Sequence, residues 1–285
     1  MRRKILSVSA IFNSDVVVSN QLLCALLLLV FFVGSASAQD HSCMGRTLDY
    51  HWGSFTSGGK LIHVEIFRPK GPGKFPAIIL VHGSGGLLSR NGTQMPLEDN
   101  FGEIRIACSG YIAVLVHYFD RSGILSTTDK AYMKQNSNDW IETLQQAVDY
   151  ASELPSADSS RIGLFGESLG GYLALSLALR DRRIRAVSVY GGGIQLGEHD
   201  DPAKLPPVLI LHGRADMIVP VSEALRLDGV LTEHGVDHRI EILEGINHYP
   251  SNRARTEIEK SAVLFFDQKL AGESSNREPC RPGVH

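Results

Sequence analysis

The chain has 285 residues, 43% of them apolar, and a net charge of −3. That length and apolar share suffice for one well-cored domain, and the lack of repeats or low-complexity tracts excludes a solenoid or a disordered chain. The mildly acidic balance, without a basic stripe, argues against nucleic acid as a partner.

In chain order, the first segment is set apart. Arg2, Arg3 and Lys4 give a basic start, Leu22 to Val33 is an apolar run of twelve, and Ala36-Ser37-Ala38 supplies a small-x-small pattern. This is the layout of a secretory signal peptide over residues 1–38. The run is too short to span a bilayer, which takes about 20 residues. An uncleaved anchor is the alternative, because the stretch between Lys4 and Leu22 is long for a signal's basic region. Cleavage after Ala38 leaves a single domain over residues 39–285, secreted or periplasmic, with no stable membrane insertion. It also removes three basic residues and one acidic residue, which takes the net charge to −5. Export permits disulfides. Cys43 and Cys280 lie near the two ends of the mature chain and are expected to pair, since domain termini are often close in space. Cys108, in an apolar helical context, is expected to be a buried small hydrophobe.

Leu61 to Phe67 alternates and predicts a strand, and Pro69 to Pro76 is a turn-rich break. Ala77 to Val81 is a continuous apolar run of strand length, the mark of burial on both faces, and it ends in a glycine-rich loop, His82 to Gly86. A helix over Leu97 to Cys108 is stopped by Gly110, and Tyr111 to Val116 is a second buried strand. Asn138 can cap a helix running to Leu154, with Trp140, Ile141, Leu144, Ala147, Val148 and Ala151 on one face. Strands over Arg161 to Phe165, Ile184 to Tyr190, Pro207 to Leu211 and His238 to Leu243 then alternate with helices over Leu169 to Leu179, Val221 to His234 and Arg255 to Leu270. That alternation predicts an α/β fold, a mainly parallel central sheet with helices on both faces.

Gly166-Glu167-Ser168-Leu169-Gly170 matches G-x-S-x-G, between a predicted strand and a predicted helix. A nucleophile elbow needs that context. Ser168 is the candidate nucleophile, placed at a helix N-terminus where N–H groups and the dipole favour developing negative charge. A helix-capping role is the alternative.

With Val81-His82-Gly83-Ser84-Gly85-Gly86, Leu211-His212-Gly213-Arg214-Ala215-Asp216 and Gly245-Ile246-Asn247-His248, the elbow resembles the dienelactone hydrolase-like branch of the α/β-hydrolases, from about Leu61 to the last helix. The resemblance implies the α/β-hydrolase fold and the chain order serine, acid, histidine. Dienelactone hydrolases proper use a cysteine where this chain has Ser168, which leans toward ordinary ester hydrolysis. Asp216 is then the acid and His248 the base, each following a predicted strand. Neutral imidazole is suited to taking the serine proton near pH 7, and a carboxylate on its far nitrogen fixes the tautomer. Asp200, Asp201 and Glu167 are rival acids, and His212 and His82 rival histidines whose expected roles are structural. The oxyanion donors are expected at the N–H of Leu169 and, by the resemblance, at Ser84, with Gly85 its competitor.

Tyr118, Phe119 and Arg121 follow a buried strand and are expected to rim the crevice; packing of the aromatics and a structural ion pair of Arg121 with Asp120 is the alternative. Tyr249 adjoins the base. The absence of a long insertion after Tyr190 suggests an open site for short-chain esters. Glu198-His199-Asp200-Asp201 lacks metal-ligand spacing, so neither metal nor cofactor is expected. The reading is a serine hydrolase acting on a small-molecule carboxylic ester or lactone. A small peptidase or amidase of the prolyl-oligopeptidase type, or a non-catalytic binding protein on the same fold, is the alternative.

Overall fold

The computed structural model describes residues 41–43, 46–87 and 102–270. The predicted signal segment and Cys280 lie outside them. Strands β1 (His41–Cys43), β2 (Arg46–Ser57) and β3 (Lys60–Pro69) open the chain as antiparallel neighbours. Gly58 and Gly59 both take positive φ, 52° and 73°, between β2 and β3. A two-residue turn of this kind matches strand twist only with both residues left-handed, which is why two glycines stand there.

Strands β4 (Phe75–Val81), β5 (Ile112–Val116), β6 (Ala157–Glu167), β7 (Ile184–Tyr190), β8 (Val208–Gly213) and β9 (His238–Leu243) complete one nine-stranded sheet. Its order is β1-β2-β3-β5-β4-β6-β7-β8-β9, and from β5 to β9 every pairing is parallel. Helices α1 (Glu103–Cys108), α2 (Lys130–Glu153), α3 (Leu169–Ala178), α4 (Ser222–Glu233) and α5 (Asn252–Lys269) cover the two faces. Ala77, Ile79 and Val81 of β4 pack with α2, α3 and α4, whereas Ile78 and Leu80 pack with α1 and α5. Successive strand side chains point to opposite faces, so the unbroken apolar run read from the sequence feeds two cores at once.

Helix α2 starts eight residues before the predicted Asn138, at a cap made by Asp129, whose carboxylate accepts from the N–H groups of Ala131 and Tyr132. The apolar residues of Lys130 to Ser137 are the consecutive Ala131, Tyr132 and Met133, which are not spaced as a helical stripe. Strand β2 was not predicted. Cys108 is buried in the core at the end of α1 as expected, but it is disulfide-bonded and not a plain hydrophobe, and its partner lies outside the described side chains. The strand order reverses at β4, with β5 on one side and β6 on the other. In open α/β sheets the crevice beyond the carboxyl ends at such a reversal is where ligands bind. The loops after β4, β6, β7, β8 and β9 all open there.

Candidate active site

β6 delivers Ser168 into a turn that α3 continues. Ser168 has φ 53° and ψ −120°, and among the described residues it is the sole non-glycine with positive φ. Such backbone costs on the order of 1–3 kcal/mol and persists only where its surroundings enforce it. They do so here: a Cβ on Gly166 would strike the Gly170 carbonyl, and one on Gly170 would strike the carbonyl of Val81 on β4. The Ser168 N–H donates to the Tyr190 carbonyl at 2.9 Å. Its hydroxyl makes no capping bond and instead lies 3.1 Å from Nε2 of His248.

The imidazole of His248 comes from the loop after β9, and its Nδ1 stands 2.7 Å from Oδ2 of Asp216, from the loop after β8. The Asp216 side chain is wholly buried and that of His248 only 10% exposed. The second oxygen of Asp216 accepts from the N–H groups of Ile218 and Val219, both at 2.9 Å. A carboxylate held by three partners has fixed orientation, and as the acceptor at Nδ1–H it leaves Nε2 to accept from the serine. His212 is buried beside them; its Nε2–H donates to the Val219 carbonyl at 2.8 Å, which steadies the acid turn. The rival acids are engaged elsewhere. Asp200 accepts from the Gly197 N–H, Asp201 caps a short 3-10 helix, and Glu167 takes Arg255 at 2.7 Å.

The loop after β4 touches the nucleophile: a Cβ on Gly83 would sit 3.2 Å from that of Ser168. The loop is held as a turn, with Gly86 N–H on the Gly83 carbonyl and Thr127 N–H on the Ser84 carbonyl. As the first residue of α3, Leu169 has an N–H with no acceptor earlier in its own helix. Gly83, the residue before Ser84, and Leu169 therefore adjoin the serine from two elements.

Of the four expected pocket residues, three are placed otherwise. Tyr118 and Phe119 are buried. The Tyr118 ring stacks on His82 at 4.1 Å, Phe119 meets the same imidazole edge-on at 4.8 Å, and the Tyr118 hydroxyl donates to the His82 carbonyl. Large aromatics behind a glycine loop fill the core and brace that loop, so they do not line the crevice. Arg121 turns to Ser57, Glu142 and Asp139 on β2 and α2, while Asp120 pairs with His63. The structural pairing of Arg121 thus involves other acids than the Asp120 weighed in the sequence. Tyr249 does border the site: its ring stands edge-on to His248 at 5.2 Å and it is 59% exposed.

Two features had no sequence signal. Tyr190 gives its carbonyl to Ser168 N–H and its hydroxyl to the carbonyl of Asn247, the residue before the base. Burial first, then the nearby Glu167 and Asp216 carboxylates, push its phenol well above the usual range. Arg255, held protonated chiefly by Glu167, ties α5 to the elbow.

A nucleophile elbow between β6 and α3, with a carboxylate and an imidazole reaching it from the loops after β8 and β9, is the arrangement of an α/β-hydrolase. The chain belongs to the dienelactone hydrolase family, whose model matches residues 62–268. Human mitochondrial acyl-coenzyme A thioesterase 2 is 26% identical over 225 residues, which cover 76% of this chain and 40% of the thioesterase. The mouse protein of that name is 26% identical over 172 residues, 58% of this chain and 34% of its own length. The chain thus spans about a third of the length of the curated thioesterases it matches. Among solved structures, a dienelactone hydrolase-like promiscuous phosphotriesterase from metagenomic libraries aligns with TM-score 0.65 at 18% identity, over 78% of this chain and 99% of the other. Acylaminoacyl peptidase of Pyrococcus horikoshii aligns with TM-score 0.63 at 19% identity, over 78% and 42%. At those identities the structures speak for the fold alone.

Proposed function

We propose that the chain is a serine hydrolase that cleaves small-molecule carboxylic esters through an acyl-enzyme. The observation that carries this reading is the pair of separations, 3.1 Å from Ser168 Oγ to His248 Nε2 and 2.7 Å from Nδ1 to Asp216. Ser168 attacks the ester carbonyl as its proton passes to His248, and Asp216 stabilises the imidazolium. Charge on the carbonyl oxygen falls to the N–H groups of Leu169 and Ser84, each such donor being worth roughly 3–4 kcal/mol in the transition state. His248 then protonates the departing alkoxide, and water, deprotonated by the same imidazole, frees the acid. The residues supply every step of this cycle themselves. The thioesterase relatives make a thioester a second acyl donor for the same chemistry. We also propose that the chain is exported, a reading supported by the basic and apolar pattern of residues 1–38 and by the disulfide at Cys108.

The test is hydrolysis of p-nitrophenyl acetate and butyrate beside Ser168→Ala, Asp216→Asn and His248→Ala, with a peptide substrate in parallel. Ser168→Ala and His248→Ala should each lose about 10⁴-fold or more in kcat, and Asp216→Asn a comparable amount through the wrong tautomer. A parent that turns over no ester and takes up no phosphonate at Ser168 would refute the hydrolase assignment.

A further inference from the structure

Met217, Ile218 and Tyr249 are 87%, 61% and 59% exposed. Single exposed apolar residues need no explanation, but a contiguous patch does. Here the turns that carry the three are joined. Met217 and Ile218 follow the acid, and Tyr249 follows the base. The two loops that carry them are bonded to one another, Arg214 N–H to the Leu243 carbonyl and Ala215 N–H to the Ile246 carbonyl, both at 2.9 Å, besides the Asp216–His248 contact itself. Neither loop is slack. Asp216 fixes the N–H groups of Ile218 and Val219, and the Asn247 side chain accepts from Tyr249 N–H at 2.9 Å. Two rigid adjoining turns therefore present three large apolar side chains to water, and one of them, Tyr249, stands against the imidazole.

The chemistry decides which arm of a substrate meets them. The tetrahedral carbon carries four groups: Ser168 Oγ, the oxyanion, the acyl arm and the leaving oxygen. The oxyanion faces Leu169 and Ser84. The leaving oxygen must come within about 3 Å of the nitrogen that protonates it, His248 Nε2. Whatever is attached to that oxygen then passes over the His248 side, where Tyr249 meets the imidazole and the adjoining turn carries Met217 and Ile218. We infer that these three residues form a subsite for the alcohol portion of the ester, and that the enzyme is selective for esters of apolar alcohols. The inference rests on the hydrolase reading and names the substrate class of that same site.

The test compares two ester series with the full chain. One holds acetate fixed and lengthens the alcohol from ethyl through butyl to hexyl; the other holds ethanol fixed and lengthens the acid. The kcat/KM of the alcohol series should climb about two- to fourfold per methylene, the factor set by partial to full burial of a CH₂ group, and more steeply than the acid series. Met217→Ser/Ile218→Ser should cut the ratio of hexyl to ethyl acetate by about tenfold, and Tyr249→Ser should cut it further. Both substitutions fall on exposed side chains, so folding is not at stake. Turnover of ethyl acetate with no response to alcohol length, or a double variant with the parent's ratio, overturns the subsite and leaves the hydrolase reading standing. No turnover of any ester overturns both.

Discussion

The 3.1 Å between nucleophile and base is set by two loops that follow different strands, and Tyr190 is bonded to both. Its carbonyl holds the elbow and its hydroxyl holds the peptide that leads into His248. Tyr190→Phe keeps the ring in its buried place and deletes only the bond to Asn247. The carbonyl left behind should cost about 1–2 kcal/mol of stability. The looser base should lower kcat about tenfold with KM nearly unchanged, because small displacements of a reacting group weigh on the transition state and not on ground-state binding. Steady-state kinetics beside thermal melting reads this; a change in KM and kcat together would make Tyr190 a purely structural residue. The sequence places Tyr190 correctly at a strand end, yet a bond to a residue 57 positions away leaves no trace in periodicity. Ser168, Asp216 and His248 were legible because each stands in a local motif at the end of an apolar strand, in an order the fold prescribes.

The loop after β4 is an element whose shape depends on what lies beneath it. His82 is buried between Tyr118 and Phe119, its Nδ1 donating to the Gly83 carbonyl at 2.8 Å. Removal from water lowers its pKa to about 3, against roughly 6.5 in an unfolded chain. The unfolded state thus takes up a proton first as pH falls. This contribution is full above pH ~6.5 and is lost progressively down to about 3, at about 1.4 kcal/mol per pH unit. From pH 7 to pH 5 the loss from this group is about 2 kcal/mol. Urea unfolding at both pH values, beside His82→Asn, should show the parent losing about 2 kcal/mol more than the variant; equal losses would show that His82 does not titrate in this way. The sequence marks His82 as a brace for the loop but reads Tyr118 and Phe119 as pocket residues, since a strand end is consistent with both the crevice rim and the layer beneath it. The same limit applies to α2: a helix turn without an apolar stripe is visible only by its cap, and Asp129 is one of several polar candidates there.

At the scale of the whole molecule, the sheet makes the site: five parallel pairings, β5 to β9 through β4, bring loops from distant parts of the chain to one edge. Alternation of apolar strands and helices is enough to read that. It is not enough to read the antiparallel β2, where Trp52, Ser54 and Thr56 are exposed and share one face with the buried Leu48 and Tyr50, so that no face of the strand is apolar throughout. Nor does it reveal cysteine pairing, which is a contact between residues remote in sequence. Cys108 at the end of α1 is bonded, so thiol count and export can be tested together. The exported protein should begin at Gln39, with the peptide containing Cys108 released from its partner only by reductant. Closing a covalent loop restricts the unfolded chain, and its loss costs about 2–4 kcal/mol in typical cases. For a domain of this size each kcal/mol moves the midpoint by about 2–4 °C, so reduction should lower Tm by roughly 4–16 °C. A free Cys108 thiol in the native protein, alkylated without reductant, would remove both the cross-link and the strongest physical support for an oxidising compartment.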